Sequence, residues 1–154
     1  MKHLFVLLHL VILSFGTVHS QTLELDINNL NSAESCAEQE QNVLLVASLI
    51  LSTPYPELDR GLSGFVLKWM ECTDRYTFEI GETEMKAIGD ETGLLGVVLA
   101  AYAADAIENE EVDRLSAVTR FLEYAENEAM EVPQHSGIKK MLRDKRKGKL
   151  ADRI

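Results

Sequence analysis

Apolar residues run almost unbroken from Gly93 to Ile107, Gly-Leu-Leu-Gly-Val-Val-Leu-Ala-Ala-Tyr-Ala-Ala-Asp-Ala-Ile, and the chain on either side is patterned to cover them. At about 100° per residue, Leu95, Val98, Leu99 and Tyr102 form a bulky face of a helix. Gly93, Gly96, Ala100 and Ala104 fall on roughly the opposite side, where small side chains let another backbone come close. Such a helix has no wet face. It is either a membrane span or the centre of a globular bundle. Only 11 residues, Leu94 to Ala104, precede Asp105, short of the ~17–25 that a bilayer needs. The pattern therefore predicts a bundle with Gly93–Ile107 at its centre.

Ser35-Cys36-Ala37-Glu38 fits a capping box and starts a first helix that runs to Leu51, apolar from Val43 onward. Pro54 and Pro56 stop it, since each pushes the preceding residue out of helical geometry. A second helix spans about Glu57 to Glu71, with Leu58, Leu62, Phe65, Val66 and Trp69 on one side and Gly61 and Gly64 weakening it. The period then changes: Tyr76, Phe78 and Ile80 alternate with Thr77 and Glu79, an extended segment over 75–81 with one buried edge and no partner strand. Thr83–Ile88 is a short helix, and Gly89-Asp90-Glu91-Thr92 a turn in which Asp90 or Thr92 caps the central helix.

Another helix covers Glu110 to Ala129, with Leu115, Val118, Leu122, Ala125 and Ala129 as its buried stripe. Residues 132–135 form a linker, Ser136 a cap, and a last helix starts near Gly137. Ile138, Met141 and Leu142 share the face by which that helix docks, and Gly148 breaks it. The expected fold is all-α, one domain of about five helices with a buried central helix and one short extended segment. Residues 1–20 read as a signal peptide, 21–34 as a flexible lead-in, and 35–154 as the helical domain with its basic C-terminal helix. No self-similarity at repeat length is visible.

The first 20 residues place the chain in a compartment. Lys2 gives a positive start, Leu4–Phe15 an apolar core, and Val18-His19-Ser20 small residues for cleavage before Gln21. An exported chain, periplasmic or secreted, meets an oxidising environment. Its two cysteines then suggest a bridge: Cys36 opens the first helix, Cys72 closes the second, and each is 18 residues from Pro54. In an antiparallel helix pair, positions equidistant from the turn lie side by side, so Cys36 and Cys72 are expected to pair.

Charge is divided along the chain. Gln21–Gly137 carries 23 acidic and 6 basic residues, a balance of −17, and Ile138–Ile154 carries 8 basic and 2 acidic, a balance of +6. Phosphate would be repelled by such a body, which argues against nucleic acid as the main partner. The tail cations Lys139, Lys140, Arg143, Lys145, Arg146, Lys147 and Lys149 are the candidate partner-binding residues, for an unknown protein or an anionic envelope surface.

Other chemistry is thin. His135 is the one histidine after the leader, so it supports neither a histidine metal site nor a nucleophilic triad, and with Ser136 it reads as linker and cap. Gly89, Gly93 and Gly96 flank a helix start, yet Asp90 and Glu91 occupy the place where a phosphate would sit. Asp105, Glu108, Glu110, Glu111 and Asp113 crowd a turn, without the spacing or the glycine of a helix-loop-helix calcium loop. Trp69, Tyr76 and Phe78 read as core aromatics. No catalytic residue, metal ligand or cofactor is assigned.

Ser52-Thr53-Pro54, Phe65-Val66-Leu67-Lys68-Trp69-Met70, Tyr76-Thr77-Phe78 and Lys147-Gly148-Lys149-Leu150 resemble a pattern in uncharacterised exported helical proteins of gram-negative bacteria. The resemblance covers most of the chain after the leader. It implies an exported helical domain and carries no activity and no functional residue. The expected function is thus a non-enzymatic module that binds a protein or an envelope surface. The rival is a small-molecule binder or small enzyme with a pocket between the aromatic segment 69–80 and the central helix. A concave pocket with a polar floor favours the rival, a closed core the first.

Overall fold

The computed structural model describes residues 25–154. The signal peptide expected over 1–20 and the first positions of the lead-in lie outside them. The described residues form seven α-helices: α1 (Ala33–Glu38), α2 (Glu40–Ser52), α3 (Arg60–Cys72), α4 (Glu82–Ile88), α5 (Thr92–Asn109), α6 (Arg114–Glu126) and α7 (Ser136–Arg146). Three short 3-10 turns, at Ile27–Asn29, Tyr55–Glu57 and Glu128–Met130, join them, and there is no strand among the described residues.

The central helix is where the apolar run places it. Every residue of α5 from Gly96 to Ala106 is buried, and α2, α3, α4 and α6 all touch it. The small face is the side of closest approach: a Cβ at Gly96 would lie 2.8 Å from Ser63 Cβ on α3, and one at Gly93 would lie 2.9 Å from the Tyr55 ring. The covering helices are amphipathic, with Val43, Val46, Ala47 and Ile50 facing inward on α2 and Phe65, Val66 and Trp69 on α3. Asp59 caps α3, its carboxylate accepting from the Gly61 amide at 2.7 Å.

Several boundaries differ from the expectation, each for a local reason. The helix expected from Ser35 to Leu51 is two helices, because Gln39 sits at φ −91°, ψ −1° and its amide turns back to Cys36 and Ala37. The cap is Ser32, not Ser35: the two serines satisfy each other's backbone amides, and Glu38 is the last residue of α1. Neither Asp90 nor Thr92 caps α5; Glu91 precedes the helix and makes no side-chain cap. The helix expected from Glu110 starts at Arg114, because Asp113 accepts from the amides of Leu115 and Ser116. Leu115 and Ala129 consequently fall outside its buried stripe, and Leu115 is 38% exposed. His135 takes the position expected for Ser136, again without a side-chain cap.

Residues 75–81 are neither helix nor strand, yet their burial alternates as expected: Tyr76 is buried, Phe78 and Ile80 are half-buried, and Thr77 and Glu79 are exposed. Trp69, Tyr76 and Phe78 pack together with ring centroids 5.9–6.1 Å apart. Of the lead-in, the described part ends docked, with Leu30 buried in the core.

Cys36 and Cys72 meet at the open end of the α1–α3 pair, with their Sγ atoms at bonding distance and their Cα atoms 6.1 Å apart, a separation a disulfide spans. Beside them Trp69 Nε1 donates a buried hydrogen bond to the Cys36 carbonyl at 2.9 Å.

Replacing Ala100, fully buried one turn beyond Gly96, with leucine should overpack this face and cost about 1–3 kcal/mol in urea denaturation. A variant as stable as the parent would overturn the central position of α5. With a sequence separation of 36, a Cys36–Cys72 bond should add about 3–4 kcal/mol on the chain-entropy account. Comparing oxidised and reduced protein in the same denaturant series measures that increment.

Candidate functional site

Six of the seven tail cations divide into two groups. Helix α7 docks through Ile138, Met141 and Leu142, and its arrival against α4 requires Gly137, where a Cβ would lie 2.6 Å from the Ala87 Cα atom. Along the edge of this interface Lys145 Nζ lies 3.5 Å from Glu126 and 3.9 Å from Glu123, and Arg146 Nη2 lies 2.8 Å from Glu126. The Arg146 guanidinium, foremost, and the Lys145 ammonium hold the Glu126 carboxyl below its ordinary value. These two cations serve the fold.

Lys139, Lys140, Arg143 and Lys147 are exposed and make no ion pair among the described residues. At helical spacing they share one stripe, opposite the docked face and about 12 Å long. Beyond them Gly148 turns the chain at φ +65°. Leu150 returns to the core, Arg153 Nε lies 3.4 Å from Asp144, and Thr83 Oγ1 donates to the Arg153 carbonyl at 2.9 Å. The last residues are thus a strap over α4 and α7, and Lys149 lies exposed on it.

The acidic turn is spent on helix ends. Asp105 is buried, and its Oδ1 accepts from Ser116 Oγ and from Asn109 Nδ2. Glu108 pairs with Arg120, whose hydrogen bond lowers its pKa. Glu110 ends α5 in the left-handed region at φ 59°, and Asp113 caps α6. Among the described residues no three His, Cys, Asp or Glu side chains converge as a metal site.

A group that sequence reasoning missed lies inside. Glu84 on α4 is fully buried; its Oε1 accepts from Tyr102 Oη and Arg114 Nε and its Oε2 from Arg114 Nη2, all at 2.8 Å. Burial alone would raise the Glu84 pKa, but the hydrogen bonds from Arg114 and Tyr102 outweigh it and the net shift is downward. Burial and the neighbouring carboxylate push the Tyr102 hydroxyl up. A signal existed: Glu84 shares the i, i+3, i+4 face of Ala87 and Ile88, which are buried, so a carboxylate there demands a partner.

A cleft lies away from the aromatic segment. It holds about 590 Å³ between the first half of α3 and the first turns of α5, walled by Ser63, Gly64 and Leu67 on one side and Leu95 and Leu99 on the other. Tyr55, Arg60, Asp90 and Glu91 stand at its end. Tyr55 donates to Glu91, and burial together with that bond pushes the phenol up to about 12. His135 Nε2 lies 3.7 Å from the other Glu91 oxygen. This is the one histidine weighed from the sequence, and it links the α6–α7 connection to the turn before α5.

No protein-family model matches this sequence, and no curated protein or solved structure matches it either.

Because its folded pKa is lowered, Glu84 contributes stability that is fully present above its ordinary value of 4.5 and is lost as pH falls through the folded value. Glu84→Gln should therefore cost about 3 kcal/mol at neutral pH, with Arg114 left unpaired, and the gap to the parent should narrow as pH falls below the ordinary value of 4.5 and through the lowered folded value. Urea melts of both proteins across that range check it; a gap independent of pH would show that the carboxylate charge is not what is lost.

Proposed function

We propose that this chain is an exported, non-enzymatic helical domain, braced by a Cys36–Cys72 disulfide, that docks onto an anionic protein or envelope surface through α7. The observation that carries this reading is the division of labour among the tail cations. Lys145 and Arg146 are held by Glu126, whereas Lys139, Lys140, Arg143 and Lys147 stand together on the solvent face without partners among the described residues. Four like charges at neighbouring helical positions repel one another. An anionic partner relieves that repulsion. The acidic body also keeps such contacts oriented, because it would be pushed away from the same surface.

Support for export comes from the leader pattern in residues 1–20 and from the paired cysteines, which suit an oxidising compartment. Among the described residues no helix is long and apolar enough to cross a membrane. The resemblance to exported helical proteins of gram-negative bacteria agrees with this placement and supplies no activity.

The test compares capture from envelope extract by the parent, by Lys139/Lys140/Arg143/Lys147→Gln, and by Lys145/Arg146→Gln. At ~0.05 M salt the first variant should lose capture about a thousandfold, at about 1 kcal/mol per cation near an anionic surface. The second should retain most of it. Raising salt to ~0.5 M should bring the parent down to the first variant, since exposed charges are then screened within a few Å. Equal capture by all three at both salt levels would end the proposal.

A further inference from the structure

We propose that the cleft between α3 and α5 binds a small amphipathic amine, with its ammonium at Glu91 and Asp90 and its apolar body along Leu67, Leu95 and Leu99. This goes beyond the α7 reading and does not depend on it. The cleft is the place where the central helix is left uncovered. Over its first half α5 shows the outside only Thr92, Gly93 and Leu95, and Thr92, Gly93, Leu95 and Leu99 all line this cleft. Opposite them Leu67 is 41% exposed on α3. Apolar walls meeting over a volume of about 590 Å³ match the size and lining of small-molecule sites.

The charged end of the cleft selects the sign of the ligand. Asp90 and Glu91 stand there against the single guanidinium of Arg60, and the rest of the body adds further negative charge. The Glu91 carboxylate is also positioned in advance, with one oxygen accepting from Tyr55 Oη and the other left without a hydrogen bond to His135 Nε2, 3.7 Å away. A carboxylate fixed this way at the end of an apolar trough leaves little ordering cost for an ammonium to meet. The Tyr55 ring, packed on Gly93, lines the same end of the cleft. A neutral or anionic ligand of the same length would find the walls without the head-group site.

Gly64 gives a clean blocking variant. It lines the cleft, and a Cβ there would meet nothing within 4 Å. Leucine is also a better helix former than glycine, so Gly64→Leu should fold and fill the trough. The experiment titrates n-octylammonium, octan-1-ol and octanoate into the protein, with calorimetry for affinity and amide NMR shifts for location. Octylammonium should shift Tyr55, Leu67 and Leu95 and bind at least about tenfold more tightly than the alcohol or the acid. Gly64→Leu should abolish those shifts, Asp90→Asn with Glu91→Gln should weaken binding about tenfold or more, and Arg60→Gln should tighten it.

The proposal falls if the alcohol binds as well as the amine, or if no probe binds by about 10 mM. It falls equally if the shifts spread over the acidic surface and survive Gly64→Leu. Sedimentation of the parent and of Gly64→Leu covers the remaining occupant: a dimer that the leucine removes would assign the trough to a second copy of the chain and overturn the amine.

Discussion

The structure depends on the burial of one helix that has no side to give to water. α5 is 18 residues long, about 27 Å, and each apolar side chain left exposed along it would forfeit roughly 1.5–3 kcal/mol of transfer free energy. Four other helices are consequently arranged around it. Alanine and glycine on one flank set the distance to α3, and the bulky flank carries Tyr102 toward α4. Nothing about α2, α3, α4 or α6 alone dictates this arrangement. Each is amphipathic or short, and each needs an apolar partner to bury its own face.

That constraint also explains where polar chemistry enters the interior. α4 is a seven-residue helix, too short to dock by apolar area alone, and it brings Glu84 inward to meet Tyr102 and Arg114. A bidentate guanidinium and a phenol satisfy both oxygens, so the buried charge is tolerated. The cost is intolerance: each member of the group now requires the others. Asp105, the buried carboxylate of α5, is satisfied at one oxygen only: Oδ1 accepts from Ser116 and Asn109, which ties the start of α6 to the end of the central helix, and Oδ2 is buried without a hydrogen bond.

Local pattern made the helices legible and long-range pairing did not. The apolar run of α5, the stripe of α3 and the docked face Ile138, Met141 and Leu142 all follow from spacing that a reader can count. So does the approach of Cys36 to Cys72, because a hairpin of helices converts sequence distance from the turn into height along the pair. Boundaries were less legible, since neighbouring residues compete for one cap: Ser32 prevails over Ser35, and Asp113 over Glu110. The Glu84–Arg114 pair spans 30 residues and leaves no periodic trace. Nor does the cleft, whose lining joins residues of the α2–α3 connection, such as Tyr55 and Leu58, to α3 and α5. The tail cations were visible as a group, but their division into paired and unpaired sets needed the position of Glu126.

The two surface features differ in kind, and the difference bears on what this molecule can do. Of the buried ionisable groups, Glu84 and Tyr102 are committed to each other and to Arg114. Glu84 is held in its charged form with every strong acceptor position used, and Tyr102 is held protonated with its proton given to Glu84, so neither can exchange a proton with a substrate at neutral pH. What remains chemically free is outside: a cationic stripe on α7, and an anionic, apolar-walled trough at the head of α5. They are opposite in sign and built on different helices. They are not isolated from each other, because Glu91 at the head of the trough lies 3.7 Å from His135, the residue that precedes α7. A charge brought to Glu91 would therefore be felt at the start of α7, whereas the ion pairs of Lys145 and Arg146 with Glu126 lie at its other end.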